Sequence, residues 1–143
     1  GPCLGHFVSS ILAFPDHLAG ATMSKSFMTI THDVAKALGS LRNDIPETMK
    51  GFNAMAKAAL TPGALSAIDK ELIALAIGVA SHCDACIGFH VRTLIRLGAS
   101  REQLMETLAV CTYMGGGPSL MYAAEAVRAY EEFLAGAPSE VTA

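Results

Sequence analysis

The stretch SAIDKELIALAIGVASHCDACIGFHVRTLIRLG, residues 66–98, decides the reading of this chain. Ser66 followed three residues later by Asp69 resembles a capping box, with Asp in place of the usual Glu, and opens a helix through about Ala80. Ser81-His82-Cys83-Asp84 interrupts it. A second helix then runs to Leu97 and closes at Gly98, because glycine accepts the left-handed backbone that ends helices. If that second helix begins near Cys83, both thiols of Cys83-Asp84-Ala85-Cys86 lie in its first turn. There the unpaired backbone N–H groups and the positive end of the helix dipole stabilise a thiolate. The two-residue spacing also lets the sulfurs join without much movement of the backbone. His90 follows Cys86 by four residues and Cys83 by seven, which places all three on one helical face. Glu71 is the one charge between residues 71 and 79, and packing of the two helices could bring its carboxylate toward the histidine or a cysteine.

Outward from this pair the chain also reads as helical. Thr31-His32-Asp33 is expected to cap a helix to about Leu41, ending near Gly39-Ser40. Asp44 is expected to cap the next, with Pro46 in its first turn and Thr61-Pro62-Gly63 as its stop. Ser100-x-x-Gln103 opens a further helix with Leu104, Leu108 and Cys111 on one face. Gly115-Gly116-Gly117-Pro118 breaks the chain as a hinge, without the lysine and spacing of a phosphate loop. A last helix runs from Ser119 to about Leu134. No alternating polar and apolar run of four or more residues supports a strand. The expected fold is therefore all-α, a compact single-domain bundle of about six helices with short connections and antiparallel neighbours.

Hydrophobic residues make up 52% of the 143 and charged residues only 16%, below the roughly 25% usual in soluble domains. Such an excess is hidden in a core or against copies of the same chain, so a homo-oligomer is expected. The longest apolar run, residues 72–80, is too short to span a bilayer. Net charge is −3 and the ten basic residues form no run, which argues against a nucleic-acid partner. Four cysteines (Cys3, Cys83, Cys86 and Cys111) are too sparse for a secreted disulfide framework. One close pair in an apolar helical chain points to a reducing compartment, the cytoplasm. Gly1-Pro2 reads as a protease scar and Met23 as a natural start, so residues 1–22 are expected to be a tag or upstream extension and residues 23–143 the domain. Residues 136–143 read as a frayed tail. Cys111, among Leu108, Ala109 and Val110, reads as core.

A zinc site built from Cys83, Cys86 and His90, with His82 or Glu71 as a fourth ligand, competes with the thiol reading. Structural zinc usually shows two ligand pairs on turns, and here a second pair is lacking, so no metal or bound cofactor is expected. His82 either adds local positive charge or caps; its role is open at this level.

The pattern Glu71-x11-Cys83-x2-Cys86-x3-His90 resembles the carboxymuconolactone decarboxylase superfamily, in its alkyl hydroperoxidase D-like branch. The likeness covers about residues 45–134 and includes the helix start at Gly98-Ala-Ser-Arg-Glu-Gln103. It implies a helical single-domain chain assembling as trimers or hexamers and working as a thiol-dependent peroxidase or disulfide oxidoreductase. It further implies Cys86 as the peroxide-attacking thiol, passing through a sulfenic acid, and Cys83 as proton donor and resolving thiol. His90 and Glu71 would serve as the proton relay. A hydroperoxide would be the substrate, and an external dithiol, lipoyl or thioredoxin-like, the reductant. Two other readings stand beside it: a non-catalytic redox-sensing or metal-binding helical module, and a lyase of the same superfamily.

Overall fold

The computed structural model describes residues 25–136. Among these all regular structure is helical: α1 (Phe27–Asp44), α2 (Pro46–Leu60), α3 (Ala67–Ala80), α4 (Asp84–Arg96) and α5 (Arg101–Gly136). The last is two helical runs meeting at Gly116, where the backbone turns to φ 69° and ψ −156°. The all-α single domain expected from sequence is thus observed, with five helices or six helical runs. The proposed boundary at Met23 and the tail beyond Gly136 lie outside the described residues.

The core lies between α3, α4 and α5, with the first turn of α1 closing one side. Leu75 and Val79 of α3 meet Ile87, Val91 and Leu94 of α4 and Leu104, Leu108 and Cys111 of α5. Ala123, Ala126 and Ala129 recur every three residues on the second run of α5, all buried. Their small side chains let that run approach its neighbours closely, as packed cores require. Two glycines do the same around α4. A Cβ on Gly78 would lie 3.2 Å from the Cβ of Cys86, and one on Gly88 would lie 2.6 Å from Cγ2 of Thr31. The second is a collision with the side of α1, so Gly88 is where α1 and α4 touch.

Local capping follows the sequence at three of the helix starts. Ser66 accepts from the Asp69 N–H at 3.0 Å while Asp69 accepts from the Ser66 N–H, a complete capping box on α3. Ser100 and Gln103 exchange the same two bonds at the start of α5. Pro46 takes the first position of α2, where a missing N–H costs nothing.

Elsewhere the structure corrects the local reading. Helix α1 does not begin at Thr31-His32-Asp33. It begins four residues earlier, capped by the Ser26 hydroxyl, and Glu132 of α5 accepts from Ser26 Oγ and from the N–H groups of Phe27 and Met28. Thr31 is buried inside the helix and donates its hydroxyl to the Phe27 carbonyl at 2.8 Å. The same helix passes through Gly39-Ser40 to Asp44. Asp44 does not cap α2 either: Ile45 occupies that position with no side-chain bond. The Gly115–Pro118 hinge shrinks to one residue, Gly116; its neighbours stay in helical turns. No helix of the described residues is long and apolar enough to cross a membrane.

Candidate active site

Between α3 and α4 only Ser81, His82 and Cys83 reverse the chain. The Cys83 N–H donates to the Gly78 carbonyl at 2.9 Å and the His82 N–H to the Val79 carbonyl at 3.1 Å. These two bonds form a Schellman motif ending α3. The residue in its middle must be left-handed, and His82 takes φ 56°, the sole non-glycine with positive φ among the described residues. Cys83 comes next and serves as the N-cap of α4: its sulfur accepts from the Cys86 N–H at 3.3 Å. One cysteine therefore ends the stop signal of α3 and begins the start signal of α4.

Cys83 and Cys86 are joined as a disulfide, with Cα atoms 5.3 Å apart. Both are half-buried, so the bond sits at the rim of the core, within reach of a small substrate. The same-face register of Cys86 and His90 on α4 follows from their four-residue spacing. The Nδ1–H of His90 donates to Oε2 of Glu71 at 2.6 Å, a short bond for an N–H donor. Glu71 is only 7% exposed. A carboxylate so placed is costly unless it is paired, and the imidazole is the pairing group. Held through Nδ1, the ring leaves Nε2 as the nitrogen that could take or give a proton. The His90 side chain keeps 28% of its surface in solvent, so protons can be exchanged with water.

The structure thus places all four sequence-derived residues on the α3–α4 pair. It bonds the two sulfurs to each other and the histidine to the acid. Cys111 is elsewhere, buried on α5 with its thiol pointing to the Ala76 carbonyl at 3.9 Å, and burial pushes its pKa up. A cavity of about 500 Å³ also lies apart from the sulfurs. It opens beside Arg92, Ile95 and Arg96 toward the far end of α4, against Met28 and Phe133.

Local reading missed the frame around Cys83. The His82 imidazole stacks on the Tyr122 ring at 4.4 Å between centroids and 11° between planes. The Lys25 ammonium lies 2.7 Å from Asp84 and 3.4 Å from Glu125, and 5.6 Å from the centre of the same tyrosine ring. One signal for His82 was present in the sequence. A helix stop at Ala80 followed by a cap at Cys83 leaves only two residues for the reversal, which calls for a left-handed one.

Comparison with known proteins follows from this geometry. The profile of the carboxymuconolactone decarboxylase family matches residues 46–129. A member of that family from Legionella pneumophila, solved as the apo protein, is 55% identical. It superposes with a TM-score of 0.74, over 75% of this chain and 96% of that one. A Thermotoga maritima member, for which a part in the antioxidative response has been suggested, is 28% identical with a TM-score of 0.63, over 71% of this chain and 89% of the other. An uncharacterized protein of Cupriavidus necator is 39% identical over 76% of this chain and 96% of its own length. With a helical core of the same shape and a profile match spanning α2 to α5, this chain belongs to the carboxymuconolactone decarboxylase family.

Proposed function

We propose that this protein is a thiol-dependent peroxidase or disulfide oxidoreductase of the alkyl hydroperoxidase D-like kind, reducing hydroperoxides with electrons from an external dithiol. One observation carries the reading: a half-buried Cys83–Cys86 disulfide at the start of α4, one turn before an imidazole bonded to a buried carboxylate.

The cycle uses these groups as follows. In the reduced protein the Cys86 sulfur attacks one peroxide oxygen as thiolate. A sulfur–oxygen bond forms and the O–O bond breaks, and the departing alkoxide takes a proton relayed from Cys83 or from His90 to leave as an alcohol. Cys86 is then a sulfenic acid. The Cys83 sulfur attacks it, the disulfide forms, and hydroxide leaves as water with a proton returned by the His90–Glu71 pair. The peroxide has gained two electrons and the thiol pair has lost two. An external dithiol, lipoyl or thioredoxin-like, restores the pair through a mixed disulfide. The N-terminal position of Cys86 on α4 favours its thiolate over the thiol. The suggested antioxidative role of the Thermotoga maritima relative agrees with this chemistry. A cycle of this kind needs a reducing setting, so the proposal includes the cytoplasm.

The proposal extends to assembly. Ile73, Ile77, Val110 and Met114 form a contiguous exposed apolar strip along α3 and α5, with Met114 at 75% exposure. A patch of that kind fits a homo-oligomer, a trimer or hexamer in the family pattern.

Consumption of cumene hydroperoxide with dithiothreitol or a lipoyl dithiol tests the reading. Turnover by the reduced protein, abolished in Cys86→Ser, supports it. No turnover by the wild type, or full turnover by Cys86→Ser, sinks it.

A further inference from the structure

The fold contains its own control for His82. Helix α4 ends in the same motif as α3: the Gly98 N–H donates to the Ile95 carbonyl and the Ala99 N–H to the Leu94 carbonyl, both at 3.0 Å. The left-handed position there is a glycine, at φ 76°. The equivalent position of α3 carries a histidine. A β-carbon in that conformation is strained, and glycine would avoid the strain. The backbone therefore has no need of an imidazole at residue 82, and something the side chain does must offset its strain.

What the side chain does is visible. Its ring lies nearly parallel to Tyr122, on the second run of α5 beyond the Gly116 bend. The Lys25 ammonium, near the centre of that same tyrosine ring, reaches Asp84. Cys83 is thus flanked on both sides by held residues: His82 through Tyr122, and Asp84 through Lys25. Neither anchor belongs to α3 or α4.

From this we infer that His82 and Tyr122 are positioning residues for the thiol pair: their stack fixes the left-handed turn that presents the Cys83 sulfur to Cys86, and so raises the effective concentration of one thiol toward the other. The inference rests on the reading of Cys83–Cys86 as a redox couple, but it concerns the equilibrium between disulfide and dithiol and needs no peroxide. Loosening the turn should disfavour ring closure and leave the dithiol more stable relative to the disulfide.

The test is the midpoint potential of the couple in the full-length protein, read by thiol trapping across glutathione redox buffers. His82→Asn keeps a residue that tolerates the left-handed backbone and removes the aromatic ring. Tyr122→Leu removes the other ring, and Tyr122→Phe preserves the stack. Expected is a roughly tenfold fall in the disulfide-forming equilibrium constant for His82→Asn and for Tyr122→Leu, which is about 30 mV toward a more oxidising couple for a two-electron exchange. Tyr122→Phe should titrate with the wild type, and the His82→Asn, Tyr122→Leu double variant should shift no further than either single. Far-UV circular dichroism and a thermal melt confirm that each variant is folded. If the wild type titrates and His82→Asn and Tyr122→Leu titrate with it, the inference is overturned while the redox reading stands. If the wild-type pair does not titrate at all, the redox reading fails and takes the inference with it.

Discussion

Glu71 and His90 are joined across α3 and α4 by one part-buried hydrogen bond, and the proposed proton relay depends on it. A carboxylate 7% exposed and 2.6 Å from an imidazole nitrogen fixes the orientation of the ring. Glu71→Gln keeps an oxygen to accept the bond but removes the charge. Peroxide turnover with a dithiol should fall about 100-fold, within the range for general acid–base groups, with the far-UV spectrum unchanged. A variant with wild-type turnover would exclude the acid from the relay. The cysteines offer a second comparison. Cys111 sits in the core with burial raising its pKa, whereas Cys86 lies in the first turn of α4. Iodoacetamide at pH 7 should label Cys83 or Cys86 well before Cys111, as resolved by peptide mass mapping, and equal rates would contradict the thiolate argument. At this scale the sequence was most informative. Helical spacing alone puts three of the four candidate side chains on one face, and the family pattern adds Glu71. His82 resisted assignment because its partner, Tyr122, lies forty residues away and only folding brings the rings together.

Among the helices, α1 depends on a capping group supplied by another element. Three donors at its start, Ser26 Oγ and the N–H groups of Phe27 and Met28, converge on the Glu132 carboxylate of α5. Partial burial works against that charge, but these hydrogen bonds and the nearby Arg128 outweigh it and hold the carboxyl below its ordinary 4.5. A depressed carboxyl stabilises the fold at pH values above its unfolded pKa, and that contribution is lost as pH falls through the lower folded value. Urea unfolding should therefore show Glu132→Gln less stable than wild type by about 1 kcal/mol at pH 7. The difference should shrink as pH drops below 4.5, and a gap that stayed constant to pH 3 would rule the charge out. The start of α1 was hidden in the sequence for the same reason. Thr31-His32-Asp33 has the composition of a cap, but the true cap is completed by an acid 106 residues from Ser26. Where both partners lie within one turn, as in Ser66 and Asp69, local reading succeeded.

Among the described residues much apolar surface is exposed. Ile77 is 62% exposed and Tyr113 84%, beside Ile73, Val110 and Met114. The low share of charged residues announced this excess, but composition cannot say which faces carry it; that depends on how α3 and α5 pack. Ile77→Glu should place an unpaired charge at the centre of the strip. Light scattering at micromolar concentration should find the wild type as a symmetric assembly and the variant shifted toward the protomer; a monomeric wild type would refute the oligomer.

Among the described residues, helix α2 has no buried residue of its own, touches only α1 and α3, and exposes Phe52 and Met55. Its anchor at the far end is Lys70, whose ammonium donates to the carbonyls of Ala59 and Thr61. Few internal contacts mean cheap local opening. Amide hydrogens of residues 50–60 should consequently exchange faster than those of α4, and equal protection of the two helices would contradict this. On that view α2 can swing open while the three-helix core beside it stays shut, so the protein has a loose outer flap on a firm body.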